Sequence, residues 1–181
     1  MADRNKNIVL GVTGSIAAYK SVEIVRSLQD QKCIVSVVMT AAATRFITPL
    51  TMAGISRRQV YTDMFDAGHK NGDKDHVGLA EWADAVLVAP ATADFIGKAA
   101  CGIADDLLTC TVMATRSPVL IAPAMNEGMY RNPVVQENIQ RLKKIGFVFI
   151  GPAKGRLACG TSGEGRLAAI DEIVKQVKKA I

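Results

Sequence analysis

The sequence predicts a doubly wound, Rossmann-like α/β fold, in which a parallel sheet carries helices on both faces. Two observations predict it: short apolar runs recur along the chain, and segments with helical periodicity separate them. The chain has 181 residues, of which 49% are hydrophobic and 22% charged, enough for one domain with a sizeable core. We therefore expect residues 1–181 to form a single domain.

The expected strands are continuous apolar runs rather than alternating patterns. Continuous runs are typical of parallel strands that are buried on both faces, because each side chain then meets a layer of helices. Strands that alternate with helices are joined by right-handed crossovers. The runs comprise residues 8–12, 34–39, 85–89, 119–122 and 147–150.

The expected helices lie between these runs. In one of them Asn132 is a suitable N-cap, Pro133 suits the first helical position, and Gly146 suits the position after the end. Residues 63–75 and 151–165 fit neither a helix nor a strand, and long irregular segments in a compact domain are commonly functional. The helical segments comprise residues 16–28, 99–114, 133–145 and 171–180.

The cysteines bear on metal binding and on the compartment. Cys33, Cys101, Cys110 and Cys159 form no Cys-x-x-Cys pair. Their scatter argues against a zinc site and a disulfide scaffold, so we expect no metal, and it fits a reducing cytoplasm. The polar residues 1–7 do not resemble a secretory signal. The first three cysteines lie in apolar periodic segments, where we expect small core residues.

The composition does not favour nucleic acid or a membrane as a partner. A formal net charge of +5 attracts anions, but only 5% of residues are aromatic and no basic stripe interleaves with stacking side chains. No apolar run approaches the roughly 18 residues that a membrane-spanning helix needs. The charge is instead compatible with small anionic ligands.

The first candidate site is the turn after the first expected strand, residues 11–16 (GVTGSI). Backbone N–H groups and the helix dipole bind anions at such a turn, Gly14 permits close backbone approach, and Ser15 can donate to a phosphate. The turn lacks the full Gly-x-Gly-x-x-Gly pattern, and residues 39–41 (MTA) offer no acidic side chain to an adenosine ribose. A mononucleotide therefore fits better than NAD, and a plain serine-capped turn is the alternative.

Two further candidates are His76 and Asn126. His76 follows the polar stretch 63–75 and is either a catalytic group or a surface or capping residue. The other histidine, His69, is expected to be solvated. Asn126 follows the apolar run 119–122, where its amide can hold a substrate carboxylate or stabilise a turn.

The last candidate is Cys159, in the glycine-rich stretch 151–165. It lies between Arg156 and Arg166 in the sequence, where a thiol is accessible and its thiolate is stabilised. An unreactive loop cysteine is the alternative.

Taken together, these motifs resemble the flavin-containing cysteine decarboxylase family over residues 8–166. Each motif is weak alone, but six in the correct order are a strong signal. Within the family, the motifs are most similar to the branch that acts on 4'-phosphopantothenoylcysteine in coenzyme A biosynthesis. The motifs are residues 14–18 (GSIAA), 76–84 (HVGLAEWAD), 90–94 (PATAD), 102–108 (GIADDLL), 123–126 (PAMN) and 158–160 (ACG).

The resemblance implies an FMN cofactor and a set of site residues. By this resemblance His76 is the catalytic base, Asn126 holds the cysteinyl carboxylate, and Cys159 is the acid of the last step. The implied FMN contacts are Gly14, Ser15, Ile16, Met39, Thr40, Ala41, Thr92, Ala93, Asp94, Phe95 and Ala124.

The implied reaction converts 4'-phosphopantothenoylcysteine to 4'-phosphopantetheine. Flavin removes hydride from the carbon that bears sulfur, the resulting thioaldehyde accepts the electron pair as CO2 leaves to give an ene-thiolate, and hydride and a proton then return. Arg156, Ala158 and Arg166 would form a clamp over the substrate. Residues 167–170 (LAAI) depart from the family, which usually has an acidic residue and a proline there.

The resemblance also implies partners and leaves alternatives. Family members assemble as trimers, so we expect a homotrimer or a multiple of one, and a phosphopantothenoylcysteine synthetase is a candidate partner. One alternative is a peptidyl-cysteine oxidative decarboxylase, which stops at the ene-thiol and needs no proton from Cys159. The other is a non-catalytic flavin-binding regulatory protein, although such relatives typically carry acidic extensions or a changed histidine. A flavin prenyltransferase would leave the His76 motif unexplained.

Overall fold

The structure is a computed structural model that describes residues 5–65, 75–156, 160 and 162–181. Its centre is a sheet of six parallel strands with the order β3-β2-β1-β4-β5-β6. The chain thus winds outward from the middle of the sheet in both directions, as in a Rossmann-like fold. The strands are β1 (Lys6–Val12), β2 (Cys33–Met39), β3 (Val60–Tyr61), β4 (Ala85–Ala91), β5 (Val119–Pro123) and β6 (Val148–Phe149).

Helices cover both faces of this sheet. They are α1 (Ser21–Asp30), α2 (Pro49–Ser56), α3 (His76–Trp82), α4 (Ala93–Cys101), α5 (Leu107–Ala114), α6 (Glu127–Tyr130), α7 (Pro133–Lys144) and α8 (Ile170–Ala180), with short 3-10 helices at Ile16–Lys20 and Ala43–Arg45. On one face α1 packs against α8, and on the other α3 packs against α5 and α4 against α7. This arrangement confirms the doubly wound α/β prediction. No helix in the described ranges has the length and apolar character to cross a membrane.

The central strands are buried on both faces. In β1, Ile8 and Leu10 belong to the core beneath α1 and α8, whereas Val9 belongs to the core on the opposite face. The same alternation occurs in β4, where Leu87 joins the first core and Val88 the second. Because neither face meets water, no strand position has to be polar, and this explains the continuous apolar runs.

The predicted ends of α7 are confirmed. The Asn132 side chain accepts a hydrogen bond from the Val134 N–H at 2.9 Å, and Pro133 is the first helical residue. Gly146 follows the helix with a φ of +101°, a left-handed conformation that favours glycine.

The single helix predicted over residues 99–114 is wrong, because the structure has two helices there. After α4, Gly102 adopts a φ of +72° and ends the helix with a left-handed residue. The Asp106 carboxylate then accepts a hydrogen bond from the Thr109 N–H at 2.7 Å and begins α5 with a capping box. Apolar residues continue across the break, so their periodicity did not reveal it.

The glycine-rich stretch 151–165 is a hairpin over part of its length. Strands β7 (Ala153–Arg156) and β8 (Ser162–Arg166) pair antiparallel. Leu167 and Ala168 follow β8 and are buried in the core with α1 and α8. The residues that depart from the family pattern thus anchor one end of the hairpin in the core. The single-domain assignment of residues 1–181 stays a prediction.

We expect Gly102→Ala to lower the free energy of unfolding by about 1–2 kcal/mol, since a Cβ is unfavourable at positive φ. Gly54→Ala in α2 is the matched control, because both glycines are exposed and a Cβ at either would meet nothing within 4 Å. The control should raise the free energy of unfolding by about 0.5–1 kcal/mol, as alanine favours a helix interior. Urea unfolding followed by circular dichroism measures both, and equal effects would contradict the helix end at Gly102.

Candidate active site

Three loops meet at the carboxyl edge of the sheet, because β1, β4 and β5 are parallel neighbours. Thr13, after β1, donates its hydroxyl to the Pro90 carbonyl at 2.8 Å and accepts from the Thr92 N–H at 3.0 Å. Ser15 donates its hydroxyl to the Ala124 carbonyl, after β5, at 3.1 Å. Both hydroxyl side chains are buried, so these hydrogen bonds fix the loops relative to one another. Open α/β sheets bind ligands at this edge.

The turn after β1 is tightly packed. Ser15 caps the 3-10 helix Ile16–Lys20, and its hydroxyl oxygen accepts from the Ala17 N–H at 3.3 Å. At Gly14, an added Cβ would lie 2.5 Å from the Cβ of Ala42. The close approach that glycine permits is therefore to the loop after β2. The serine cap is present, and the same turn borders the cavity described next.

A cavity of about 610 Å³ opens at this edge, a volume typical of cofactor and substrate sites, which span about 300–1,000 Å³. Its wall comprises the turn after β1, the loops after β4 and β5, and the β7–β8 hairpin. The predicted site residues in this wall are Gly14, Ser15, Ile16, Thr92, Ala93, Ala124, Asn126, Arg156 and Arg166.

A second cavity, of about 490 Å³, adjoins the first. The two share Gly14, Thr92 and Met129. Predicted FMN contacts that line the second cavity but not the first are Thr40, Ala41, Asp94 and Phe95. The structure thus gathers the predicted cofactor residues around two adjoining cavities, except for Met39, which is buried in the hydrophobic core.

The larger cavity is cationic. Lys20, Arg156 and Arg166 line it, and none of its described lining residues is acidic. In the smaller cavity, by contrast, the Lys98 ammonium is neutralised by carboxylates, and its Nζ lies 3.1 Å from Oδ2 of Asp105. That hydrogen bond raises the pKa of Lys98. The larger cavity is therefore the one that attracts anions.

Lys20 lines the larger cavity, although the sequence did not predict it as a site residue. It ends the 3-10 helix that follows Ser15, and within the described ranges no ion pair involves it. The sequence offered one signal for this residue, a lysine shortly after a serine that can bind phosphate. The sequence predicted an α-helix rather than a 3-10 helix in this segment, so it did not predict that Lys20 lies in the cavity wall.

Asn126 both caps a helix and lines the larger cavity. Its Oδ1 accepts a hydrogen bond from the Gly128 N–H at 2.8 Å, at the start of α6. The turn and ligand interpretations of Asn126 are therefore compatible, because the cap fixes the plane of the side-chain amide beside the cavity.

His76 is not among the residues that line the two cavities. It is the first residue of α3, after Asp75, whose carboxylate caps the helix by accepting from the Gly78 N–H at 2.8 Å. His76 is half-buried, and its buried Nδ1 has no hydrogen-bond partner among the described residues. It lines neither of the two cavities. One chain therefore does not bring His76 and Asn126 to the same cavity.

The cysteines differ in burial. Cys159 and Ala158 lie outside the described residues, so their roles stay predictions. Cys33 is buried as expected, and burial raises the pKa of its thiol. Burial also raises the pKa of the Cys110 thiol, which is half-buried. The expectation of a core position is wrong for Cys101, which is exposed at the last residue of α4.

Comparison with known proteins identifies relatives of this chain. The family model described as Flavoprotein matches residues 1–181. The coenzyme A biosynthesis bifunctional protein CoaBC of Vibrio cholerae is 50% identical over 169 residues, which cover 93% of this chain and 42% of that protein. The chain thus spans less than half the length of this curated relative.

Two solved structures are similar over nearly the whole chain. A PPC decarboxylase cysteine-to-serine mutant complexed with pantothenoylaminoethenethiol has a TM-score of 0.88 and 32% identity, and the match covers 97% of this chain and 98% of that one. The FMN-dependent cysteine decarboxylase SpaF has a TM-score of 0.83 and 34% identity, with 97% of each chain covered. Together with the matched family model, these similarities show that the chain belongs to the Flavoprotein family.

Proposed function

We propose that the chain is an FMN-dependent carboxy-lyase of coenzyme A biosynthesis. It removes CO2 from the cysteine moiety of 4'-phosphopantothenoylcysteine and yields 4'-phosphopantetheine. The observation that carries the proposal is the cationic cavity that holds the Ser15 turn and Asn126 in one wall. Such a cavity suits a substrate with a phosphate at one end and a carboxylate at the other. The names of the Vibrio relative and of the PPC (phosphopantothenoylcysteine) decarboxylase structure support the same assignment.

FMN fits the two adjoining cavities. Ile16 and Met129 offer apolar surface for a planar ring, and the Ser15 turn lies where phosphates bind at the end of a first strand. When bound, FMN supplies a two-electron acceptor and donor for the carbon that bears the sulfur.

The residues of the cationic cavity bind and orient the substrate in this proposal. Asn126 donates its amide N–H to the cysteinyl carboxylate. Lys20, Arg156 and Arg166 neutralise the phosphate through charge-assisted hydrogen bonds. Because both ends of the substrate are held, the reacting carbon is restricted to one position in the cavity.

Two residues handle protons. His76 acts as the base. Its Nδ1 is buried within its own chain and has no hydrogen-bond partner among the described residues, so the rest of the ring is the part that can meet a substrate. Cys159 donates the proton of the last step, since a thiol is an acid that can give up its proton near neutral pH.

We infer that the active form is a homotrimer or a multiple of one, in which His76 of one subunit faces the cationic cavity of another. His76 lines neither cavity of its own chain, which supports a shared site. Ile16, Tyr19 and Met129 also support it, because these cavity residues are 58%, 57% and 50% exposed in one chain. Contact with a second subunit would bury that apolar surface.

The proposal extends to compartment and partner. A cytoplasmic location is supported by Cys33, Cys101 and Cys110, which are all free thiols. A phosphopantothenoylcysteine synthetase is the proposed partner, because it makes the substrate and because the Vibrio relative is named a bifunctional protein of the same pathway.

The flavin-loaded protein should convert 4'-phosphopantothenoylcysteine anaerobically to CO2 and the saturated thiol. Cys159→Ser should still release CO2 but stop at the ene-thiol, because the last proton donor is missing. Mass spectrometry separates the two products by two hydrogens. Cys101→Ser is the matched control and should give the saturated thiol, since Cys101 is exposed and lines neither cavity. Ene-thiol from the unchanged protein would favour the peptidyl-cysteine alternative, and protein that binds no flavin would contradict the proposal.

We expect His76→Asn to reduce the rate of CO2 release by about 10²–10⁴, the usual contribution of a general acid or base, while flavin absorbance is kept. His69→Asn, at the only other histidine of the chain, should leave the rate within about twofold. A shared site adds a second test, in which inactive His76→Asn and inactive Asn126→Ala chains are co-expressed. Mixed oligomers should regain part of the activity, and no regain would contradict the placement of the two residues on different subunits.

Lys20→Gln should raise KM for the phosphorylated substrate about 10- to 100-fold, because it removes one charge-assisted hydrogen bond. The effect on pantothenoylcysteine, which has no phosphate, should be small. Lys144→Gln at the end of α7 is the control with the same change of charge outside both cavities. Lost flavin retention in Lys20→Gln would instead place Lys20 at the cofactor.

A further inference from the structure

The β7–β8 hairpin contacts the turn that carries Asn126 through the backbone. The Gly165 carbonyl, in β8, accepts a hydrogen bond from the Met125 N–H at 2.9 Å. Gly165 has a φ of +137°, and an added Cβ would overlap the Met125 carbonyl oxygen. The hairpin and the turn therefore meet along their backbones, with the cationic cavity lined by both.

One side chain, Glu127, adds to this contact. Its Oε1 accepts a hydrogen bond from the Glu164 N–H of β8 at 3.3 Å and lies 2.9 Å from Nη2 of Arg131. The Glu127 side chain is 27% exposed, whereas that of Arg131 is 64% exposed. One carboxylate oxygen thus accepts a backbone donor from the hairpin and also pairs with the guanidinium of the residue that follows α6.

Gly163 is fitted to this carboxylate. A Cβ at Gly163 would overlap Oε2 and Cδ of Glu127. Gly163 is not among the positive-φ glycines, so its backbone can accept alanine. A side chain at this position would therefore have to displace the Glu127 carboxylate.

We propose that Glu127 is a positioning residue that holds the hairpin against the Asn126 turn and so sets the distance between the two halves of the substrate site; this inference rests on the proposed function. Asn126 lies on the α6 side of the cavity, and Arg156 and Arg166 lie on the hairpin side. Glu127 itself does not line the cavity. Its removal therefore changes how well both ends of the substrate are held together, without removing a group that touches the substrate.

Residue 127 must offer an acceptor both to the Glu164 N–H and to the Arg131 guanidinium. Glutamine at 127 keeps an acceptor for the Glu164 N–H but loses the charge that attracts Arg131. Alanine loses both contacts. We expect KM for 4'-phosphopantothenoylcysteine to rise about three- to tenfold in Glu127→Ala and less in Glu127→Gln, with kcat within about twofold in both. Flavin absorbance should be unchanged, because Glu127 lines neither cavity.

Gly163→Ala tests the same contact from the hairpin side. In the unchanged background its methyl group would displace the Glu127 carboxylate from the Glu164 N–H, so KM should rise by a similar factor. In the Glu127→Ala background the collision is gone, so adding Gly163→Ala should raise KM no further. Such non-additivity is the signature of two residues that act through one contact. If the two substitutions instead caused independent structural defects, the factors by which each raises KM would multiply in the double variant.

The experiment measures KM, kcat and flavin absorbance for the unchanged protein, both single variants, the double variant and Glu127→Gln. Glu137→Ala in α7 is the matched control, because it removes an exposed carboxylate outside both cavities. Hydrogen exchange at the Glu164 amide is measured in parallel without substrate, and Glu127→Ala should accelerate it.

The outcomes separate this inference from the proposed function. The positioning role would be overturned if the hydrogen-exchange rate of the Glu164 amide were the same in Glu127→Ala as in the unchanged protein. It would also be overturned if the increases in KM multiplied in the double variant. In both cases decarboxylation by the unchanged protein would still support the proposed function. Absence of decarboxylation by the unchanged, flavin-loaded protein would overturn the proposed function, and with it the positioning role in catalysis.

Discussion

The hydrogen bonds of Thr13 and Ser15 set the frame of the site. These buried hydroxyls join the segment after β1 to the ends of β4 and β5. A buried polar group left without a partner costs about 1–3 kcal/mol, so the three loops are held in one arrangement by the chain itself. The turn that carries Asn126 directly follows Ala124, whose carbonyl accepts the Ser15 hydrogen bond, so the start of this turn is held in place as well.

The other half of the site is attached less firmly. The hairpin has two short antiparallel strands, and an isolated hairpin is at best marginally stable in water. Leu167 and Ala168 anchor its end in the core, and Met125, Glu127 and Arg131 bind its β8 strand from the side. A rigid half made of sheet loops therefore faces a half whose position depends on a few contacts.

The two cavities differ in net charge. Lys98 in the smaller cavity is neutralised by Asp94 and Asp105, so it adds little net field. Lys20 and the two arginines of the larger cavity form no ion pair within the described ranges. An anion is therefore attracted more strongly to the larger cavity, where Asn126 also lies.

The sequence by itself determined five of the six strands of the sheet, the α7 helix with its caps and the loops that line the cavities, because continuous apolar runs and cap residues are local signals. It did not reveal β3, a strand of two residues. It did not reveal the break at Gly102, since apolar residues continue across it, or the hairpin in 151–165, whose glycines give no periodic signal. Tertiary structure alone decided that Lys20 borders the larger cavity, that His76 does not line it with Asn126, and that Glu127 meets Gly163. Those relations depend on how distant segments pack, and no local pattern of residues encodes a distance between segments that are far apart in the chain.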